Sequence, residues 1–517
     1  MVTEFDPHSD PLASGLPMKD IEVIRTIAGV RALADPTRLQ MVHMLTRNPA
    51  TGSMLARALK IPANRAHYHL QRLLEAGLIQ DVESGREQRT EERYYVATAR
   101  HILVDPGLGG VEDRPTKALR QSIETTFLDW RRSQVLAIDW GDLARLVVHR
   151  SLQVRPDDRV VILFAPIALE PAEAIQVEIE ACGAQSHLRP WSRNVILRTI
   201  DRYSLDSLEN FALIPAAIDE SLTAAVLLTS SLVQGPPPNP AQQERLPRFL
   251  EAVSRWKLSV RERGLRYLHV GLPHRAEFGE VYIGPEAGID LFWRCVNADA
   301  EEIRRRGEHL LGIVRAEPEI VIQGVNDTEL RVTLDATHAV VSDGIISADD
   351  LREGHASESV PSGSLGALPV AGTADGTFEV DYIFSAGRHI PRVRVVLREG
   401  RIVDLDAAVD AEIVRGQLAR EAGEPGVLSS VTIGLNPGGQ GLTGRPELDA
   451  LSAGVVSLHF GNNELWGGSV RSTFNLSMPA PGLTVRTRTK SLVIRGRLAG
   501  SRAGQQTTIL GGEEKTS

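Results

Sequence analysis

The apolar positions change their period along the chain, and the changes divide it into parts. Residues 1–18 hold three prolines and no apolar period, which predicts a disordered lead. Residues 19–104 read as four helices followed by two strands. In LADPTRLQMVHMLTR (33–47), Leu39, Val42, Met44 and Leu45 share one helical side, with Asp35 placed to cap and Pro36 at the first helical position. A short helix follows at about 51–60, with Thr51 and Ser53 as capping candidates. PANRAHYHLQRLLEAGLI (62–79) gives the next helix, with Ala66, Leu70, Leu73 and Leu74 as its buried stripe and Gly77 as its stop. A wing is then expected: Leu78–Val82, the charged loop ESGREQRTEE, and RYYVAT at 93–98. DPGLGGVEDRPT (105–116) reads as a linker, and 117–150 as mainly helical.

From about 135 to 314 short apolar runs alternate with helical segments. DRVVILFA (158–165), AAVLLTSS (224–231) and LRYLHVGLP (265–273) read as buried strands of a parallel or mixed sheet, and 185–195 as a polar segment. Beyond about 315 the pattern alternates with period two: EIVIQGV, ELRVTLD, HAVVSDG, TFEVDYIF, RVRVVLREGRIVDLD and VVSLHFG. Glu399-Gly400 marks a hairpin turn within this region. The expected class is multi-domain α+β. The expected domains are a disordered lead (1–18), a winged helix-turn-helix (19–104), a linker and connecting helix (105–134), an α/β domain (135–314), a β-rich domain (315–498) and a disordered tail (499–517).

Composition removes several classes of function. The 517 residues contain two cysteines, Cys182 and Cys295, which leaves no disulfide framework and no cysteine-cluster metal site. Both read as buried small residues rather than nucleophiles. No apolar run approaches the roughly 18 residues of a membrane span, and the acidic, polar start is unlike a signal peptide, so a cytoplasmic protein with no membrane partner is expected. The net charge of −9 is unevenly spread. Residues 19–104 carry 13 basic and 9 acidic side chains, a local +4, so the rest carries −13. A small basic module on an acidic body points to nucleic acid at one end.

The segments ALADPTRLQMVHML and AHYHLQRLLEAGLI, with the basic wing tip, resemble the ArsR-like winged helix-turn-helix family over about 70 residues. The resemblance implies DNA binding. A helix fits the major groove and its amino-terminal side chains reach base edges. Asn64 suits adenine and Arg65 suits guanine, while His67, Tyr68 and Arg72 suit bases or phosphates. Arg86, Arg89 and Arg93 of the wing suit the minor groove or phosphates. Family members usually place a Ser or Thr cap where this chain has Pro62, which shifts the helix start and the register of side chains on bases. The bland alternative is a structural or protein-binding winged helix.

The remaining 380 or so residues are similar to the aminopeptidase T/S-like metallopeptidase family, which includes the iron-dependent dihydroxypyridine dioxygenases. The residues carrying this are VRPDDRVVILFAPIALEPAEAI (154–175), DAEEIRRRGEHLLGIV (299–314), VPSGSLGALPVAGTADGTFEVD (360–381), TIGLNPGG (432–439) and GVVSLHFGNNELWGGSVRSTFNLSM (454–478). The resemblance implies an α/β domain and a β-rich domain with a cleft between them, often in a dimer. It also implies metal ligands, and this chain lacks them. The Glu after Pro-Ser-Gly is Ser364, the Glu before Gly-Leu-Asn-Pro is Ser430, the strand His is Ser457, and the final His and Asp are Asn475 and Ser477. These side chains are neutral, weak ligands that do not replace a divalent cation's water. His459, with Glu464, His389, His355 and Asp381 nearby in sequence, is the candidate nucleus of a replacement metal site.

The resulting expectation is a DNA-binding transcriptional regulator: a homodimer on an operator, with a catalytically inactive body that senses a small-molecule or peptide ligand. No catalytic residue, metal or cofactor is expected. The alternatives are a non-catalytic peptide- or intermediate-binding scaffold in a biosynthetic pathway, and a metal-dependent hydrolase or dioxygenase with a rebuilt site.

Overall fold

The computed structural model describes residues 19–24, 26–46, 49–82, 93–104, 140–165, 168–229, 239–273, 283, 285–324, 327–385, 388–421, 423–439, 441–472 and 474–500. The expected lead (1–18), the linker and most of the connecting helix fall outside these residues, as do the wing tip and almost all of the tail.

The amino-terminal module is built from β1 (Lys19–Ile24), α1 (Ile27–Leu33), α2 (Pro36–Leu45), β2 (Ala50–Thr51), α3 (Gly52–Ala58), α4 (Ala63–Glu75), β3 (Ile79–Val82), β4 (Tyr94–Ala97) and β5 (Ala99–Val104). The four helices are as the sequence predicts. The strand content is larger: β1 precedes them and pairs parallel with β5, Lys19 opposite Ala99. The order β2-β4-β3 makes a second, antiparallel ribbon. Asp35 caps α2 by accepting from the Arg38 N–H at 3.0 Å, and Thr51 caps α3 through Met54 N–H. Met41, Leu45, Leu55, Leu70 and Leu73 form a dry core between the helices.

The second part contains α5 (Trp140–Arg145), which runs into a π-helical turn (Leu146–Ser151), then β6 (Arg159–Phe164), α6 (Leu169–Ala181), β7 (Gln185–Pro190), α7 (Arg193–Arg202), α8 (Leu205–Glu209), α9 (Ala216–Asp219), β8 (Ala224–Thr229), α10 (Pro240–Glu262), β9 (Arg266–Gly271), α11 (Pro285–Val296) and α12 (Ala300–Ala316). The three predicted strands are present. The polar segment after 185 is also a strand, at the sheet edge, where an apolar run is not needed for burial. The sheet is parallel, with β9, β8, β6 and β7 side by side in that order and a later strand, Ser357–Val360, on the outer side of β9, and it has one apolar core on each face.

The third part runs through β10 (Glu319–Gln323), β11 (Glu329–Ser342), α13 (Ala348–Glu353), β12 (Ser357–Val360), β13 (Ser364–Pro369), β14 (Asp375–Ser385), β15 (Arg388–Arg398), β16 (Arg401–Asp406), α14 (Ala411–Arg420), β17 (Leu428–Gly434), α15 (Pro446–Asp449), β18 (Val456–Phe460), β19 (Leu476–Ala480), β20 (Thr484–Arg486), β21 (Ser491–Ile494) and β22 (Arg497–Leu498). Eleven strand pairings build a large antiparallel sheet around the main core. ELRVTLD and HAVVSDG, read as two strands, are one long strand with an irregularity between Asp335 and Val340. The Glu399-Gly400 turn is as predicted, with φ of 49° and 75°. The division expected at residue 315 is crossed once. The chain leaves the large sheet after β11, and β12 pairs with β9 in the parallel sheet, Ser359 opposite His269.

The architecture is thus helix-turn-helix module, α/β part and antiparallel β-rich part. Among the described residues no helix is long and apolar enough to cross a membrane.

Candidate nucleic-acid interface and the polar face of the body

The helix-turn-helix consists of α3, a turn with Lys60 at φ 52°, and α4. Pro62 sits at the cap position of α4 and offers no side-chain acceptor. Asn64 accepts the Arg65 N–H at 2.8 Å instead, so one of the residues expected to read a base also caps its own helix. Ala66, His69, Leu70 and Leu73 face the core. Asn64, Arg65, His67, Tyr68 and Arg72 are all on the exposed side, together with Gln71, which sequence reasoning did not single out. Tyr68 is 53% exposed, so its ring and hydroxyl are open to a partner. Arg72 lies 5.5 Å from the centre of that ring and 3.0 Å from Glu75. Hydrogen bonding to Tyr68 and then to Glu75 raises its pKa, so its charge is fixed. Arg93 is exposed and 4.0 Å from Asp81 across the ribbon. Arg86 and Arg89 lie outside the described residues.

Two residues between the candidates have other work. Burial lowers the pKa of His69, against the pull of Asp35, so this histidine is a neutral core residue. Arg38 ties α2 to the end of α1 through the carbonyls of Ala32 and Arg31, which accounts for the arginine of the Asp-Pro-Thr-Arg segment.

In the body, the register of four neighbouring strands, β13-β17-β18-β19, decides which side chains share a face. Gly366 is opposite Thr432, Thr432 opposite Ser457, Ser430 opposite His459, and His459 opposite Ser477. Side chains alternate along each strand. Ser364, Ser430, Thr432, Ser457, His459 and Ser477 therefore lie on one side, and Asn475, two residues before Ser477, continues the row. Leu365, Val431, Ile433, Val456, Leu458 and Met478 point to the other side, into the main core. The five positions that the resemblance gives as substituted ligands lie along this polar face.

Its chemistry is that of hydroxyls and one imidazole, with the Asn475 amide at its end. Ser457 is fully buried, Ser430 nearly so, and the Oγ atoms of Ser457 and Ser477 have no hydrogen-bond partner among the described residues. His459 Nε2 is 2.9 Å from Thr432 Oγ1, and burial lowers the histidine pKa to about 4. This donor set does not fit a catalytic divalent metal, because a hydroxyl, unlike a carboxylate, brings no charge to offset the lost hydration. Among the described residues no three His, Cys, Asp or Glu side chains stand close enough to hold an ion. Of the other members of the candidate replacement site, Glu464, His355 and His389 have neighbours of their own. Glu464 pairs with Arg471 at 2.5 Å, His355 is 3.9 Å from Glu353, His389 faces the carbonyl of Gly444, and Asp381 lines a hollow with Thr328 and Pro481.

The Asn-Pro-Gly-Gly motif has a structural account that sequence reasoning missed. Asn436 donates to the carbonyls of Cys295 (2.9 Å) and Ser362 (2.6 Å) and accepts from Gly438 N–H (2.8 Å). A Cβ at Gly438 would stand 2.4 Å from the Arg294 carbonyl oxygen, and one at Gly439 2.6 Å from Ser452 Cα. The motif clamps the end of α11 to the start of β13. Cys295 is buried as expected, and burial pushes its thiol up to about 12, away from nucleophilic use. Cys182 is half-buried rather than buried. It ends α6 with its sulfur 4.0 Å from His149 Nδ1.

Against known proteins, residues 33–82 match the family of helix-turn-helix domains. No curated protein is similar in sequence. Among solved structures, 2,5-dihydroxypyridine dioxygenase from Pseudomonas putida KT2440 is 15% identical, with a TM-score of 0.46 over 70% of this chain and 96% of its own. AmpT from Thermus thermophilus is also 15% identical, with a TM-score of 0.48 over 70% of this chain and 98% of its own. The amino-terminal module, with its capped α3, tight turn and outward-facing α4, is a helix-turn-helix domain.

Proposed function

We propose that the protein is a DNA-binding transcriptional regulator whose body is a non-catalytic, ligand-sensing and dimerising unit. The observation that carries this is the outer face of α4. Asn64, Arg65, His67, Tyr68, Gln71 and Arg72 are exposed together, on a helix whose opposite side is packed into the module's own core. A helix held from behind and polar in front is what the major groove accepts. Two copies on a two-fold axis would place two such helices one turn of DNA apart. A ligand in the body would act by favouring the spacing that fits. The body's neutral polar face supports binding by hydrogen bonds rather than metal chemistry.

The test is mobility shift of the full chain on DNA from around its own gene, at moderate salt. Replacing Arg65 and Tyr68 together by Ala should weaken specific binding by about tenfold to a hundredfold, since one good base contact is worth roughly 1–3 kcal/mol. Binding to random DNA should change far less. Equal losses on both, or no specific binding by the wild type, would refute the regulator. Metal analysis of the purified protein tests the body separately: stoichiometric zinc, iron or manganese would refute the non-catalytic reading.

A further inference from the structure

We propose that Cys182, His149 and Glu178 form a thiol-modification site, at which the Cys182 sulfur adds to a small, neutral α,β-unsaturated carbonyl compound. The proposal is independent of the winged module and of the serine-lined face.

The placement follows from two elements packed side by side. Glu178 and Cys182 are four residues apart at the end of α6, so their side chains share one face of the helix. α5 and the π-helical turn after it lie along α6. Leu143, Ala144, Val147 and Val148 are buried there, which leaves His149 at the open rim. His149 reaches both residues of α6: its Nε2 lies 2.6 Å from Glu178 Oε1, and its Nδ1 lies 4.0 Å from Cys182 Sγ. A π-helical turn is rare and recurs at functional sites, and this one carries the imidazole of the cluster.

The carboxylate fixes what each ring nitrogen can do. Glu178 accepts a hydrogen bond, so the Nε2–H points to it and the Nδ1 lone pair faces the thiol. Nucleophile, base and orienting acid stand in the order that activated nucleophiles use. The thiol is reachable: Cys182 is half-buried between the exposed Ala181 and Gly183, and the imidazole is 53% exposed. As Cys182 Sγ bonds to the β-carbon of the unsaturated compound, its proton passes to Nδ1 and the C=C π pair moves onto the α-carbon and carbonyl oxygen. Glu178 offsets the positive charge that the ring gains in between. The proton then goes to the α-carbon. The product is a thioether, with nothing oxidised and no group leaving.

Two observations select this class of partner. α6 carries Glu170, Glu173, Glu178 and Glu180 and no basic residue, so an anionic reagent is repelled. Cys295, the other cysteine, is 2% exposed and packs with Ile289, Leu291 and Leu448, so no second thiol stands ready to resolve an oxidised Cys182. A neutral carbon electrophile meets neither obstacle.

Timed reaction of the full chain with acrylamide at pH 8, read by intact mass and peptide mapping, tests the site. One adduct is expected, at Cys182, forming faster than on the same thiol in the urea-unfolded chain. Acrylamide should be favoured over acrylate by more than free cysteine favours it. His149→Gln should slow the adduct about tenfold or more, the loss of a general base. Glu178 is a positioning residue: Glu178→Gln should slow the reaction less, and the nitrogen-15 shifts of His149 should change from the Nε2–H tautomer to a mixture of the two. Cys295 is the internal control, because it stays unmodified while a variant remains folded. A Cys182 that reacts no faster folded than unfolded, a preference for acrylate, an undiminished rate in His149→Gln, or a wild-type His149 whose Nδ1 carries the proton would overturn the proposal.

Discussion

Among the described residues Tyr94 packs the amino-terminal module against the body, and its removal has a calculable effect. The strand β4 is buried on both faces. Tyr95 and Ala97 point into the module's own core, whereas Tyr94 packs with Ala408 and Val409 of the β-rich part, joined by Met54 and Val82. Tyr94 is 3% exposed, so nearly all of its ring is removed from water. Full burial of a large apolar side chain is worth roughly 1.5–3 kcal/mol. Tyr94→Ala should therefore cost about 2 kcal/mol of docking, which lowers the docked-to-undocked ratio roughly thirtyfold. The ladder hydrogen bonds of β4 are backbone bonds and survive. Scanning calorimetry and limited proteolysis of the full chain would show a separate low-temperature transition and faster release of an intact amino-terminal module. Tyr95→Ala is the control, because it empties space in the module's own core and should unfold the module itself. An unchanged melting profile for Tyr94→Ala, or one matching Tyr95→Ala, would refute the docking argument.

Two further effects follow from the body. His389 is 4% exposed, and its pKa is lowered to about 4 by burial, partly opposed by its bond to the Gly444 carbonyl. The unfolded chain, with an ordinary value near 6.5, binds the extra proton between pH 6.5 and 4, so this residue's stabilisation is lost as pH falls through that window, by up to about 3 kcal/mol. Melting temperatures across pH 4–7 should fall less steeply for His389→Gln than for wild type, and parallel curves would refute the assignment. Gly438→Ala places a Cβ 2.4 Å from a backbone carbonyl oxygen, so it should destabilise by about 1–3 kcal/mol and shift the denaturant midpoint down, whereas Gly312→Ala, with open space around it, should not.

What was legible in the sequence follows physical rules that act locally. The helix-turn-helix was readable because caps, a stop glycine and a 3.6-residue stripe all lie within short windows: Asp35 and Thr51 cap as expected, and Gly77 breaks the helix at φ 68°. The strands β6, β8 and β9 were readable because two covered faces demand continuous apolar runs. β1, β7 and β12 were not, since each sits at an edge or pairs with residues far along the chain, and no local period reports on that. The same limit applies to sites. The positions expected to be substituted ligands are separate words in the sequence, and only register puts Ser430, Ser457 and Ser477 on one face.

What the polar face can hold follows from the same register. The Ser457 and Ser477 hydroxyls have no hydrogen-bond partner among the described residues, and His459 beside them is neutral because burial lowers its pKa to about 4. A surface with unmet hydrogen bonds and no charge suits neutral polar groups rather than a divalent cation, and neither property can be read from three serines that are far apart in the chain.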